Sequence, residues 1–340
     1  PQAPSTFIIS LDFELYWGVR DVKTVAQYRE NLLGVRRAVP AMLATFAEYE
    51  VHATWAAVGF LFFSSRNELL CALPGEGPHY DDVHLSPYAE MSAVGHDEHQ
   101  DPFHFGRSLL EQIRSSSAQE IGTHTFSHYY CLEPTQSIAA FQADLRAALA
   151  AAADFGVVLK SIVFPRNQYD EGHLQICAEM GFKAFRGNPQ SRLYRPRVGA
   201  GETRWVRAGR LLDSYCDLSS HNCYSLAETA AGVPINLPAS RFLRPYTAKV
   251  LTALQEQRIK GDLTYAARQG LVYHLWWHPH NFGAHLEENI WMLRHILDHF
   301  QSLRERYGMQ SKNMAESALN CSEFQDHVVI KEDRFAWQRR

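Results

Sequence analysis

The sequence holds 340 residues, 46% of them hydrophobic and 21% charged, with a formal net charge of -4; this is ordinary globular composition with room for one large α/β domain or two smaller ones. The acidic balance excludes a general nucleic-acid binder, which is normally basic, and no apolar run approaches the roughly 18 residues that a membrane span needs. Cys71, Cys131, Cys177, Cys216, Cys223 and Cys321 are scattered with no CxxC spacing. That is the pattern of reduced thiols, and with no charged and apolar leader at the start it predicts a cytoplasmic protein. The 17 histidines and 12% aromatics suit a metal or sugar site without locating one.

The first element is the stretch Phe7-Ile8-Ile9-Ser10-Leu11-Asp12-Phe13-Glu14. Apolar residues running into two acids predict a buried strand that ends in a polar site. Residues two apart on a strand share a face, so the two carboxylates project together while Phe13 points away. Two acids at close range repel unless a cation or a shared proton intervenes. A strand followed by a charged turn is the alternative. Next, Val39, Met42, Leu43 and Phe46 recur at helical spacing, with Pro40 tolerable in the first turn of such a helix. Ala53 to Phe63 reads as a second strand, and strand, helix, strand begins a parallel sheet. Residues 74–106 lose periodicity and accumulate Gly, Pro, His and Asp, which predicts a lid or substrate loop. Its His96, Asp97, Glu98, His99, Asp101 and His104 read as solvated polar groups before a second metal site.

A short helix around Leu109 to Ile113 follows, and Glu120-Ile121-Gly122-Thr123 then leads into His124-Thr125-Phe126-Ser127-His128. An Ala-rich helix from Pro134 to Phe155 is stopped by Gly156. Ser161 to Phe164 forms a short strand ending in Pro165-Arg166-Asn167-Gln168-Tyr169; a helix from Glu171 to Met180 and a strand from Phe182 to Phe185 come next. Arg186, Arg192, Arg195, Arg197, Arg204, Arg207 and Arg210 then face the single acid Glu202. This local positive field reads either as a solvated surface or as a clamp for an anionic part of the substrate such as a diphosphate. Ile235 to Pro238 is a further strand, and Arg241 extends the polar rim. A helix ending at Gln269, a strand from Leu271 to Trp276, then Trp277-His278-Pro279-His280 and a helix from Leu286 to Tyr307 complete the pattern. With no repeat, linker or low-complexity segment, residues 1–340 are expected to form a single domain, with a motif-bearing core 7–308, an insertion 74–106 and a tail 309–340.

His124 and His128 are four apart, which places both imidazoles on one face if the segment is a helical turn. Two neutral imidazoles and a carboxylate make three ligands and leave an open position where a divalent metal can hold water. An HExxH metalloprotease is excluded because Thr125 stands where its glutamate must be. Hydrolysis on such a metal needs a base for the water proton and an acid for the leaving nitrogen, and Asp12 and His278 are available for those roles. Chemistry in barrel-like parallel folds sits on the rim formed by the strand ends, where all of these residues lie.

On four stretches in order, Ser10-Leu11-Asp12-Phe13-Glu14, His124-Thr125-Phe126-Ser127-His128, Phe164-Pro165-Arg166-Asn167-Gln168 and Trp277-His278-Pro279, the chain resembles the polysaccharide deacetylases, the NodB-homology carbohydrate esterases of family 4. The resemblance implies a distorted (β/α)7 barrel that removes acetyl from N-acetylated sugars with a divalent metal, most often zinc. Carried over by motif, it implies Asp12 as general base, His124 and His128 as metal ligands, Arg166 as the residue that orients the base, and His278 as general acid. Phe13 stands where the commonest pattern has the liganding aspartate, so Glu14 becomes the expected ligand, with Asp12 the alternative; Arg166 follows Pro165 where the usual motif has arginine first. His274 and His280 flank His278 as alternatives. Trp17, Tyr169 and Trp277 are read as sugar-stacking or core aromatics, and Arg186 and Arg241 as substrate-binding cations.

The expected function is therefore a metal-dependent N-deacetylase acting on an N-acetylated sugar, as an intracellular nucleotide- or lipid-linked precursor in surface polysaccharide biosynthesis. Two competing readings keep the same residues. Two histidines and one carboxylate are also the triad of non-haem iron oxygenases, and a non-catalytic carbohydrate-binding protein would need only the fold.

Overall fold

The computed structural model describes residues 4–189, 191–194, 204–229 and 232–319. The central strand β1 (Thr6–Phe13) is buried along its whole length, as a strand covered on both faces must be. Phe7, Ile9, Leu11 and Phe13 pack outward into the large core between sheet and helices, while Ile8 joins a smaller cluster with Ala56, Ala184, Ile235 and Val272. This second cluster is the interior of a curled sheet. The strands β2 (Ala53–Ala57), β3 (Gln119–Thr123), β4 (Ser161–Ile162), β5 (Ala184–Phe185), β6 (Ile235–Asn236), β7 (Arg241–Phe242) and β8 (Val272–Trp277) run in the order β6-β5-β4-β3-β2-β1-β8-β7. All pairings are parallel, and β6 and β7, the two ends of the path, leave the barrel open between them. The α/β barrel is thus present in a distorted form.

Helices α1 (Val25–Glu48), α2 (Arg66–Cys71), α3 (Arg107–Ser115), α4 (Ile138–Asp154), α5 (Glu171–Glu179), α6 (Arg204–Asp213), α7 (Leu226–Thr229), α8 (Lys249–Gln269) and α9 (Leu286–Tyr307) connect or flank the strands. The first of them begins well before the expected start. A Thr24–Gln27 capping box opens α1, so Pro40 lies in the helix interior. The apolar stripe Val35, Ala38, Val39, Met42 and Phe46, all buried, outweighs the hydrogen bond that a proline removes. The predicted second strand is shorter than expected: after Ala57 the chain leaves the sheet and enters a 3-10 turn at Gly59–Phe62. Gly59 N and Phe60 N donate instead to the carbonyls of Thr125 and Phe126, at 2.9 and 3.1 Å, and a Cβ on Gly59 would press against Phe126.

Residues 74–106 cross the rim as a strap with short 3-10 turns at Val83–Leu85 and Pro87–Glu90. Trp17 Nε1 donates to the His104 carbonyl at 2.8 Å, Tyr130 N to Tyr80 Oη at 3.0 Å, and Arg36 to the carbonyls of Pro102 and Phe105. The segment expected as a tail contributes β9 (Gln310–Ser311), which pairs with the start of β1. Met314 and Ala318 then fill the barrel interior from below, where Met314 N and Ala315 N donate to Thr54 Oγ1 and Glu120 Oε2 at 2.8 and 3.0 Å. Cys71, Cys131, Cys177, Cys216 and Cys223 are free thiols; Cys321 and the rest of the expected tail from 320 on, with Arg195 and Arg197, lie outside the described residues.

Helix α1 fixes the turn after β8 through Tyr28 Oη to Asn281 Oδ1 at 2.8 Å and Asn31 Nδ2 to the His280 carbonyl at 3.2 Å. The two backbones touch at glycines: a Cβ on Gly34 would overlap the Gly283 carbonyl. Gly34→Ala must push main chain from main chain. We expect it to lower the unfolding free energy by about 2–3 kcal/mol in urea titrations; parent-like stability would contradict this contact.

Candidate metal and active site

The sheet register brings the chemical residues to one rim. Phe13, Ala57 and Thr123 are level across β1, β2 and β3, so Glu14 and His124 emerge side by side. Leu11 is level with Trp277, which sets Asp12 beside His278. Arg186 leaves β5 on the same side, directly after Phe185.

Glu14 Oε2 lies 3.3 Å from His124 Nε2 and 3.1 Å from His128 Nε2, and the carboxylate is only 3% exposed. His124 Nδ1 is 2.8 Å from the Val163 carbonyl; a carbonyl only accepts, so Nδ1 carries a ring proton and Nε2 is the nitrogen that faces Glu14. Burial holds His128 below its usual pKa, against the pull of Glu14, which keeps it neutral as a ligand must be. Burial would raise the Glu14 carboxyl, but the imidazoles of His278, His124 and His128 outweigh it and hold it well below the usual carboxylate range. A tetrahedral cation with bonds of about 2.0–2.1 Å sets its ligands roughly 3.3–3.4 Å apart. The three donors therefore fit such an ion in identity and spacing, and they form a group able to hold a metal.

The histidines do not share a helical turn as expected. Residues 124–128 form a loop in which Thr125 and His128 adopt φ of 62° and 58°, an unusual conformation for a β-branched residue. Hydrogen bonds impose it: Thr125 Oγ1 accepts from Tyr129 N at 2.7 Å, and Asp144, on the apolar face of α4, accepts from Phe126 N at 2.7 Å and from Ser127 N at 3.1 Å. Asp144 was not among the expected site residues, although a lone acid three residues after Phe141 and one before Leu145 on a buried helix face was a readable signal.

Asp12 is gripped bidentately by Arg186, at 2.6 and 2.7 Å. Burial would raise the Asp12 carboxyl; Arg186 and the nearby imidazoles outweigh it and hold it below its ordinary value. Arg186 also donates to Ser10 Oγ at 3.1 Å and lies 4.1 Å from the centre of the Trp276 ring. At 1% exposure it has no face for a substrate anion, so its place is beneath Asp12. Arg166 does not reach Asp12: it pairs with Asp21 and Glu133 and lies over the Tyr130 ring at 4.0 Å. Its side chain turns out of the barrel, and Arg186, which follows the neighbouring strand β5, meets Asp12 instead.

His278 Nε2 stands 3.5 Å from Glu14 Oε1 and 3.8 Å from Asp12 Oδ2, and its side chain is 24% exposed, against 4% for both carboxylates. His274 is committed elsewhere, to Ser10 Oγ at 2.8 Å and the Leu237 carbonyl at 3.1 Å, and burial together with Arg186 pushes it down to about 3. The other expected substrate contacts are internal. Trp17 and Trp277 are fully buried, the latter stacked on Phe282, which leaves no ring face for a sugar. Arg241 is buried between Asp213 and Asp262. Tyr169 is half-buried against Phe164 and Phe185.

By sequence, no family model and no curated protein matches the chain. By structure, it is similar to a candidate polysaccharide deacetylase from Mycobacterium smegmatis, with a TM-score of 0.57 and 14% identity over 96% of this chain and 95% of that one. A candidate polysaccharide deacetylase from Pseudomonas aeruginosa gives a TM-score of 0.50 and 12% identity over 92% and 88%. The chain has the polysaccharide-deacetylase fold. A 4-alpha-glucanotransferase from Thermococcus litoralis is similar too, with a TM-score of 0.50 and 13% identity over 94% of this chain and 40% of that one. The likeness therefore fixes the architecture, and the chemistry has to be argued from the site.

Burial raises the Asp144 carboxyl to about 6, against the hydrogen bonds of Ser127 and Phe126. A folded pKa above the unfolded value near 3.8 gives stability that is complete below about pH 4 and lost as pH rises through 6. Relative to Asp144→Asn, the parent should therefore gain about 2 kcal/mol of unfolding free energy between pH 7 and pH 4.5. Parallel stability curves for the two proteins would contradict the assignment.

Proposed function

We propose that the chain is a metal-dependent hydrolase that removes the acetyl group from an N-acetylated sugar, and that its metal is zinc. The observation that carries this reading is the convergence, on one rim, of a carboxylate between two imidazoles, an arginine-clamped aspartate and a part-exposed histidine. A cation held by Glu14, His124 and His128 would polarise the acetamide carbonyl and make a water acidic enough to serve as nucleophile near neutral pH.

The residues of the chain supply the rest. Asp12 takes the proton of the attacking water, and Arg186 holds it ionised and aligned for that transfer. The water oxygen bonds to the acetyl carbon, the C–N bond breaks, and His278 delivers a proton to the departing nitrogen, giving acetate and a free amine. His278 suits this role because it is the group most open to the solvent side of the site. The strap 74–106 lies over the rim, and the ligands are nearly closed off from solvent. This supports a small or chain-end sugar over the interior of a polymer, in line with a nucleotide- or lipid-linked precursor of a surface polysaccharide. Free thiols at all five described cysteines support action in the reducing cytoplasm.

The test is mass spectrometry of a panel of N-acetylated sugars, free, nucleotide-linked and oligomeric, after incubation with the zinc-loaded protein. Loss of an acetyl group from at least one member is expected. Asp12→Asn should lower kcat by about 10²–10⁴-fold with zinc retained, and Arg166→Gln by less than about tenfold, with folding of both checked by circular dichroism. Oxygen consumption by the ferrous protein without acetate release would instead favour an oxygenase.

A further inference from the structure

Glu14 has two carboxylate oxygens, and the ligand set described above uses only Oε2. Its Oε1 lies 3.5 Å from His278 Nε2, close to the spacing of two ligands on one tetrahedral ion. Ligand atoms of Glu14, His278 and His280 all come within 4.8 Å of one another. His280 is 3% exposed; its ring stacks on His278 with centroids 5.1 Å apart and meets the Tyr28 ring at 5.3 Å. Its Nδ1 is buried with no hydrogen-bond partner. An unpaired buried polar atom is destabilising, and a site that keeps one calls for a reason. On the other ring, His278 Nε2 is the nitrogen turned to the carboxylates, at 3.5 Å from Glu14 Oε1 and 3.8 Å from Asp12 Oδ2.

We propose that Glu14 Oε1, His278 and His280 form a second divalent-cation position, weaker than the first, and that filling it inhibits the enzyme. Imidazole and carboxylate donors select a borderline cation such as zinc, cobalt or nickel over calcium or magnesium. The position is weaker for three reasons: its only carboxylate is shared, Asp12 is committed to Arg186, and a second dication beside the first is repelled by it. A cation there takes the His278 Nε2 lone pair, so that this imidazole no longer carries the proton that the departing nitrogen needs. The binding half stands on the geometry alone, whereas the inhibitory half rests on the deacetylase reading.

The test titrates the metal-stripped, full-length protein with zinc chloride, and in parallel with cobalt chloride. Bound ions per chain are counted by elemental analysis after equilibrium dialysis, and acetate release is followed where a substrate has been found. Two binding steps are expected, the second at least about tenfold weaker, with acetate release rising through the first and falling through the second. His280→Gln and His280→Phe, the latter keeping the ring stack, should retain the first ion and lose both the second and the fall in activity. His124→Gln should lose the tight step. One ion per chain at every concentration, unchanged in both His280 variants, overturns the second position and leaves the first intact. Two ions with no fall in acetate release overturn the inhibitory role. Loss of all binding in the parent overturns the deacetylase reading as well.

Discussion

The structure depends on a carboxylate that has been taken out of water without a cationic side chain of its own. Glu14 is buried among His124, His128 and His278, while Arg186 is spent on Asp12. Burying an ionised carboxylate costs several kcal/mol unless opposite charge or strong donors offset it. The surrounding imidazoles favour the ionised form, and a divalent ion bound among them would favour it further. The inward row of β1, Ser10, Asp12 and Glu14, thus sets the task that the other strand ends solve.

The surrounding packing reads as a set of struts for that rim. Asp144 in α4 holds the loop that carries both histidines, α1 holds the turn after β8 through Asn31 and Tyr28, and Gly59 and Phe60 bind the histidine loop from the side. Each strut is a side-chain or backbone hydrogen bond from an element distant in sequence. Ligand placement within a few tenths of an ångström requires such locking, because the loop's own backbone adopts an unfavourable conformation at Thr125. The lower end of the barrel is closed by Met314 and Ala318 with the part-buried Glu120–Thr54 pair, which leaves the upper rim free for chemistry.

Much of this was legible from the chain alone wherever the signal was local. The alternation in Phe7–Glu14 set the strand and the shared face of its two acids, and glycines at 270 and 308 marked two helix ends. What needed three dimensions was missed. Arg166 and Arg186 both follow short strands, and only the register shows that Arg186 points beneath Asp12 while Arg166 turns outward. The spacing of His124 and His128 suggested a helical turn, but hydrogen bonds from Asp144 and Gly59, far away in sequence, impose a loop that still brings the rings together. Trp17 and Trp277 sat beside the right motifs, yet Trp277 falls on the packed face of β8, since faces alternate along a strand, and Trp17 is buried in the 3-10 turn Leu15–Gly18 after β1. Arg241 looked like a rim cation because its two aspartate partners lie in distant helices.

The most direct measurement of the central claim is an anomalous-scattering map at the zinc absorption edge from crystals of the zinc-loaded protein. The account predicts its strongest peak between Glu14 Oε2, His124 Nε2 and His128 Nε2, within about 2.0–2.2 Å of each. A map with no peak there, and with Glu14 still hydrogen-bonded directly to both imidazoles, would contradict it.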